Sequence, residues 1–315
     1  MSALSKELDR YLTIRRSLGY DLGTAERVLR RFIAFAEQEE AELVSTDLFL
    51  RWQKAFGKAN QSTWARRLGM VRLFAQWMHC IDPRHEVPPR ALIPRRQRRP
   101  RPYIYKSEEI QRIVVAAAEL PSINGLRGIT FSTLFGLIAV TGLRVSEALS
   151  LDVVDVDLET GLITLRCGKL GKTRLLPLSD STTSRLATYA KERDRLLGGP
   201  AEPFFVSDHG ERATASAARY HFAAVCQTLG LRPAEKFHRL GRGPRIHDLR
   251  HTFVVRTLVD WYRTGKDPSR EMIKLTTYLG HANPADTYWY IEAVPELLDL
   301  ASRRAEASLA QEVRP

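Results

Sequence analysis

Between Asp82 and Pro102 the chain carries six prolines, and Arg90, Arg95, Arg96, Arg98, Arg99 and Arg101 follow one another with no acid between them. Proline keeps such a stretch extended, so it reads as a linker and forces the chain to build a separate core on either side. The sequence therefore divides into residues 1–89, a linker over 90–102, and residues 103–315. With 315 residues, 44% of them hydrophobic, each part is long enough to bury its own core.

The net charge of +12 points to a polyanionic partner, and its distribution is more telling than its size. Residues 1–89 hold 14 Lys/Arg against 11 Asp/Glu, residues 90–106 hold 7 against 0, and residues 107–315 hold 27 against 25. More than half the excess thus lies in residues 90–106, the linker and the four residues after it, and Arg95, Arg96, Arg98, Arg99 and Arg101 of the linker are candidates for contacts to double-stranded DNA. From Arg90 to Tyr103 it can span about 45 Å at roughly 3.3–3.6 Å per residue, several times the ~12 Å width of a major groove. Two domains joined this way can clamp opposite faces of a duplex; a solvated hinge is the other reading of the same composition. No stretch approaches the roughly 18 apolar residues of a membrane span, and the polar start, Met1 to Arg10, is unlike a signal peptide, which places the protein in the cytoplasm. Cys80, Cys167 and Cys226 are odd in number and far apart, so they suit buried small hydrophobes better than a disulfide framework or a zinc site.

Residues 4–79 carry four helical patterns. Leu4, Leu8, Tyr11, Leu12 and Ile14 form the first, ending near Gly19, and Val28, Leu29, Phe32, Ile33, Phe35 and Ala36 form the second. Thr46-Asp47 can cap a third up to Phe56. A fourth, from about Asn60 to His79, sets Trp64, Leu68, Val71, Phe74, Ala75 and Met78 on one face. Together they predict a small bundle. Its polar faces carry Arg27, Arg30, Arg31, Arg66, Arg67 and Arg72, which suit either DNA or plain solvation.

The second part opens with Lys106-Ser107-Glu108-Glu109, an N-cap and acidic first turn leading into a helix from Ile110 to Leu120. A nearly all-apolar helix over Gly128 to Val140 must be buried, and it stops at Thr141-Gly142, where glycine can take a left-handed conformation. The next helix starts at Leu143-Arg144-Val145-Ser146-Glu147. An arginine held that rigidly is costly without a partner, so Arg144 has a structural acid or binds an anion, and Glu147 one turn on can orient it. Leu162 to Cys167 and Thr173 to Leu178 read as a β-hairpin with Lys169 and Lys172 at its tip. Phe204-Phe205-Val206 is a short buried piece, and a helix follows near Ala213 to Leu229.

From Ile246 to Ile291 the chemistry-bearing residues gather: His247, Arg250, His251, His281 and Tyr290. Asn283 is a good N-cap, Pro284 suits the first helical position and Asp286 suits the positive end of a helix dipole, so Tyr290 sits nearly two turns into a short helix. Arginine grips phosphate oxygens in a bidentate manner, histidine moves protons near neutral pH, and tyrosine can form a covalent intermediate. The set points to attack on a phosphodiester.

Thr141-Gly142-Leu143-Arg144-Val145-Ser146-Glu147-Ala148-Leu149, the Gly168-Lys169 tip, His247-Asp248-Leu249-Arg250-His251-Thr252, Leu279-Gly280-His281, and Tyr290 nine residues later resemble the tyrosine recombinases, or phage-type integrases. All the family's motifs stand in its order over about 150 residues. The resemblance implies a mainly α fold with a small β-hairpin, in the two-domain arrangement of the Xer and Cre enzymes: a helical core-binding domain of SAM-like type, then an α+β catalytic domain. It implies that Tyr290 attacks the scissile DNA phosphate, forming a 3′-phosphotyrosine bond and releasing a 5′-hydroxyl, and that a 5′-hydroxyl of the partner strand reverses the step. Arg144 and Arg250 would clamp the non-bridging oxygens, Lys169 would protonate the leaving oxygen, and His247 and His281 would assist proton transfer and phosphate binding. No cofactor and no metal is implied. Physics is consistent with this: an ordinary tyrosine is only about 0.1% ionised at pH 7, so a basic pocket or a general base is required.

Within the motifs, the family's spacing favours Lys169 over Lys172. Tyr288 lies roughly 200° around the helix from Tyr290, so only one of them can face a phosphate, and packing is the expected role of Tyr288 and Trp289. Arg263 to Arg270 form an extra polar loop relative to most members, and no additional arm-binding domain precedes Met1. Val294 to Ala310 read as a terminal helix whose Leu297, Leu298, Leu300 and Leu309 serve either a neighbouring subunit, in a homotetramer on two DNA sites, or the chain's own core. The loop and the missing arm favour integration or transposition of a mobile element, with or without a partner recombinase. Two rival classes remain: a zinc hydrolase using His247, His251 and His281, disfavoured because Asp248 stands where a catalytic glutamate would and two arginines repel a cation, and a non-catalytic DNA-binding regulator on the same fold.

Overall fold

The computed structural model describes residues 2–57, 59–94, 101–166, 173–233, 243–280, 287–290 and 295–312. The contacts of the chain separate it into two compact units, Met1–Pro100 and Arg101–Pro315.

The first unit is built on α1 (Ala3–Ser17), α2 (Gly23–Gln38), α3 (Thr46–Ala55) and α4 (Gln61–Ile81). Three of these start where a short polar side chain takes an otherwise orphaned amide: Ser2 accepts from Ser5 N, Ser45 from Leu48 N and Asn60 from Thr63 N. Their apolar faces close on Leu8, Phe32, Phe49, Trp52, Trp64 and Phe74. Ile14 departs from the expected stripe and is exposed, because the first helix turns that position outward. Ile93, inside the stretch expected to be linker, is buried in this same core, with Leu92 packed beside it. The arginine face is partly committed: Arg30 pairs with Asp9 and Glu26 at 2.9 and 2.8 Å, Arg72 donates to the Pro88 carbonyl at 2.7 Å, and Arg67 lies over the rings of Phe56 and Trp64.

In the second unit α5 (Ser107–Ala118) begins within the expected cap segment, with Lys106 at the cap position. Ser107 is its first helical residue, and the Lys106 amide donates to Glu109 Oε2 at 2.8 Å. The apolar α6 (Leu126–Thr141) is packed on by α5, by α8 (Asp180–Leu197), by α9 (Ala215–Thr228) and by α10 (Ile246–Arg263), which accounts for its lack of a polar face. Its end is set by Gly142 at φ +66°, whose amide donates to Ile138 O at 2.9 Å. The short α7 (Val145–Leu149) leads through a 3-10 turn, Val153–Asp155, to an antiparallel sheet of β1 (Val156–Asp157), β2 (Leu162–Arg166) and β3 (Thr173–Pro177) in that order. The hairpin register runs from Leu162 opposite Pro177 to Arg166 opposite Thr173 and turns Ile163, Leu165 and Leu176 into the core. Phe204, Phe205 and Val206 are buried as expected.

A smaller cluster joins α10, α11 (Pro268–Leu279) and the C-terminal helix α12 (Pro295–Glu312) around Val254, Leu258, Trp261, Met272, Leu279, Tyr290 and Leu297. The polar stretch Arg263 to Arg270, expected to be a loop, is shorter than that. Helix α10 continues to Arg263, and α11 already begins at Pro268, where the missing amide of proline costs nothing. The leucines of α12 divide: Leu297 is fully buried in this cluster, while Leu298 is exposed. Cys226 is buried, but Cys80, on the outer side of α4, is exposed rather than a small core residue. No helix among the described residues is long and apolar enough to cross a membrane.

Candidate active site

At the junction of α6 and α7 the chain turns through Gly142, whose neighbour across the turn is the Phe253 ring of α10; a Cβ added there would stand 2.5 Å from that ring. The turn delivers Arg144 to the cap position of α7, where its amide donates to Glu147 Oε2 at 2.9 Å and its Nη1 to Glu147 Oε1 at 2.7 Å. Glu147 is the expected orienting acid, and it does more than that. Its Oε2 lies 3.0 Å from Arg174 Nη2 on β3 and 3.9 Å from Arg250 Nη1 on α10, so one carboxylate stands among three guanidinium groups. Burial alone would raise the Glu147 carboxyl, but the Arg144 amide, the charge of Arg174 and the Arg144 guanidinium outweigh it and hold the group below its ordinary range.

Arg250 is almost wholly buried at 1% exposure. It donates through Nη1 to the Gly142 carbonyl at 2.6 Å and through Nη2 to the Leu279 carbonyl at 2.9 Å. Arg144 shares the same end of α11, donating to Leu279 O at 3.3 Å and Gly280 O at 3.2 Å. Burial first, and then the charge of Arg144, lower the Arg250 guanidinium to about 10, so it remains cationic at neutral pH. Both arginines thus gather at the negative end of a helix dipole, the kind of partner a phosphate oxygen resembles.

Helix α10 carries the histidines. Its first turn is locked by Asp248, which accepts from Arg245 N at 2.7 Å and Arg245 Nη2 at 2.9 Å. His247, in the same turn, is exposed to solvent. Partial desolvation and then the nearby Arg250 lower its basicity. Its ring meets that of His251 edge-on, 4.5 Å between centroids. His251, one turn further, places Nδ1 2.8 Å from Tyr290 Oη.

Residues 287–290 are helical and turn Tyr290 inward, at 3% exposure, while Tyr288 points out at 48%. Tyr288, expected to pack, is therefore a surface residue, because the helical rotation that buries Tyr290 carries it to the opposite side. Trp289 does pack, against Tyr290 and His251.

Arg144, His247, Arg250 and Tyr290 thus converge from α7, α10 and the segment before α12. Lys169, Lys172 and His281 lie outside the described residues, as do Asn283, Pro284 and Asp286 of the expected cap and, in the linker, Arg95, Arg96, Arg98 and Arg99. Arg101 is described and exposed. Sequence reasoning missed Arg174 and the contact of His251. Arg174 offered only its place on a strand next to a lysine-bearing tip, and the His251 contact joins residues 39 positions apart. Chemically, the site pairs a cationic cradle for an anion with a phenol hydrogen-bonded to an imidazole. Among the described residues no group of three histidine, cysteine or acidic side chains is arranged to hold a metal ion.

Residues 104–296 match the phage integrase family. The chain is 42% identical to y4rB of Sinorhizobium fredii (strain NBRC 101917 / NGR234), which carries the name integrase/recombinase, over 97% of this chain and 98% of that one. It is 28% identical to the tyrosine recombinase XerD of Caulobacter vibrioides, covering 75% of this chain and 72% of that protein. Among solved structures, the Tn1549 transposon integrase in complex with transposon right end DNA has a TM-score of 0.64 and 17% identity, over 96% of this chain and 98% of that one. A lambda integrase dimer bound to a COC′ core site has a TM-score of 0.58 and 17% identity, over 90% of this chain and 96% of that one. At such identities the structural likeness speaks for the fold, and the sequence matches carry the relationship. The expected mainly helical fold with a small sheet is the observed one, and by motif order, domain match and full-length identity the chain belongs to the phage integrase family of tyrosine recombinases.

Proposed function

We propose that the protein is a site-specific DNA recombinase that cuts and rejoins strands through Tyr290. The observation that carries this is the buried phenol of Tyr290, hydrogen-bonded to His251 at 2.8 Å and close to the Arg250 guanidinium, in a chain of this family. Tyr290 Oη attacks the scissile phosphorus, the 3′-phosphotyrosine bond forms and the 5′-oxygen leaves; a 5′-hydroxyl of the exchanged strand later attacks and frees the tyrosine. The link conserves the bond, so the reaction needs no nucleotide cofactor. Arg144 and Arg250 exchange carbonyl partners for the non-bridging oxygens, and loss of one such preorganised donor costs about 3–4 kcal/mol of transition-state stabilisation. Lys169 protonates the leaving oxygen, while His247 and His281 hold the phosphate and move protons.

The partner is double-stranded DNA bearing paired recombination sites. Arg95, Arg96, Arg98, Arg99 and Arg101 of the linker, residues 90–102, bind its phosphates, with the helical domain, residues 1–89, on the core site and the catalytic domain, residues 103–315, around the scissile bond. The relatives named integrase, and the solved integrases bound to transposon or core-site DNA, support a role in integration or transposition of a mobile element. A homotetramer on two sites, in the cytoplasm and with or without a partner recombinase, completes the reading.

Covalent trapping tests it. The protein is incubated with a nicked duplex library in EDTA, denatured in detergent and examined for attached DNA, with Tyr290→Phe and Tyr288→Phe alongside. An adduct lost only in Tyr290→Phe is the expected result, and sequencing the trapped DNA gives the site. Salt-sensitive DNA binding without an adduct would instead favour a non-catalytic regulator, and an adduct lost only in Tyr288→Phe would overturn the choice of nucleophile.

A further inference from the structure

We propose that His251 is the group that holds the Tyr290 phenol in line and takes its proton when the phenol attacks phosphorus. This rests on the reading of Tyr290 as the nucleophile. The contact is enclosed: both side chains are buried, their rings lie 5.2 Å apart, and Nδ1 faces Oη at 2.8 Å. The direction of this hydrogen bond follows the tautomer of the ring, and in the tautomer the reaction requires, Nδ1 accepts the phenol hydrogen while the imidazole proton sits on Nε2. That nitrogen faces Asp248 Oδ1 at 3.9 Å. Asp248 is itself fixed by Arg245. At that distance Asp248 makes no hydrogen bond to the ring and acts on it through its charge, favouring the imidazolium that forms when the histidine takes the proton of a weak nucleophile.

The surroundings support transfer in that direction. Around His251 stand His247 and Asp248 of its own helix, and Trp289 and Tyr290 of the segment 287–290. Arg250 is close enough to Tyr290 for their charges to interact. Proton transfer would place a cation beside Asp248 and an anion beside Arg250, so each new charge forms next to its opposite. In the step, the Tyr290 O–H bond breaks and its proton passes to His251 Nδ1. The phenolic oxygen forms the bond to phosphorus as the bond from phosphorus to the 5′-oxygen breaks, and the 5′-oxygen takes its proton from the acid assigned above to Lys169. Religation returns the proton from the imidazolium to the departing phenol. His247, on the open side and beside Arg250, is left to the phosphate.

The test uses the full-length protein and a nicked duplex carrying the site recovered by trapping, with single-turnover adduct formation followed across pH. His251→Asn keeps a hydrogen-bonding group where Nδ1 stands but cannot take a proton. It is expected to slow cleavage by about 10²–10⁴-fold near neutrality, with the deficit shrinking as pH rises. A 5′-bridging phosphorothiolate substrate, whose sulfur leaves without protonation, should retain the deficit. His251→Ala should regain rate with added imidazole, which keeps the test open should the asparagine variant misplace the helix. A rate within about threefold of wild type, a loss equal at every pH, a loss abolished by the sulfur leaving group, or no imidazole rescue would each overturn the assignment while leaving Tyr290 as nucleophile. Wild-type protein that forms no adduct would instead remove the reading beneath it.

Discussion

Replacing Glu147 with glutamine removes one negative charge from the midst of three guanidinium groups while keeping the shape of the side chain. The Arg144 pair is worth little, about 1 kcal/mol or less, because that arginine is 36% exposed and screened. The Arg174 pair is different: both side chains are 14% exposed at 3.0 Å, and breaking an enclosed pair costs about 3–5 kcal/mol. Glutamine retains one acceptor oxygen, so the lower end applies, and about 3 kcal/mol in a unit of 150–250 residues amounts to roughly 6–12 °C of melting temperature. The carboxyl of Glu147 is held below its ordinary range, so its contribution is present above the unfolded pKa and lost as pH falls through the lower folded value. The difference between wild type and Glu147→Gln should therefore close in acid. Calorimetry at low salt would measure it, with and without sulfate or duplex DNA, because an anion lodged among the arginines should restore part of the loss. A variant melting within about 2 °C of wild type, or one that anions fail to help, would refute the account of Glu147 as the counter-charge of the cluster.

Three further outcomes follow from the packing. Gly142→Ala should cost at least about 1–2 kcal/mol in urea unfolding, since φ is +66° and the Phe253 ring occupies the space a Cβ needs; an unchanged midpoint would contradict the turn. Leu297→Ala should cost about 2–5 kcal/mol and speed amide exchange in α12, because Leu297 is fully buried against α10 and α11; no effect would mean that the helix does not dock on its own chain. His85, His221 and His247 are all held below their ordinary basicity, chiefly by burial, so the unfolded chain binds more protons, and stability should fall as pH drops below about 6.5. His85 Nδ1 accepts the Val44 amide at 2.9 Å, so His85→Gln should flatten part of that slope, and equal urea midpoints at pH 7 and about pH 5.5 would refute the argument.

The elements that could be read from sequence are those whose signal is local. The apolar run of α6 required burial on all sides, the glycine after it allowed only one kind of ending, and the alternation of β2 and β3 fixed a hairpin. Helix α8 carries a weak local signal although Ser179 caps it and Gly198 closes it, because its many charged and hydroxyl residues dilute the apolar stripe. The start of α11 was hidden in a polar stretch for the same reason. Within the site, Arg144, His247, Arg250 and Tyr290 were found through the spacing of motifs. Arg174 carries no motif signal, and His251, grouped with the chemistry-bearing residues and weighed as a zinc ligand, has no place in the phosphodiester reading, since their roles arise from contacts with residues distant in the chain, Glu147 and Tyr290, and periodicity carries no trace of such pairs.

The acceptors that hold Arg144 and Arg250 in the absence of DNA are the carbonyls of Gly142, Leu279 and Gly280. These belong to the main chain, and no exchange of side chain at those positions deletes them. Sequence drift can therefore alter the residues around the cradle while the arginines keep a resting partner, so the buried charge of Arg250 rests on acceptors that substitution does not remove. Glu147 is the exception: it is the one acceptor in the set described for these arginines that a single codon change can remove.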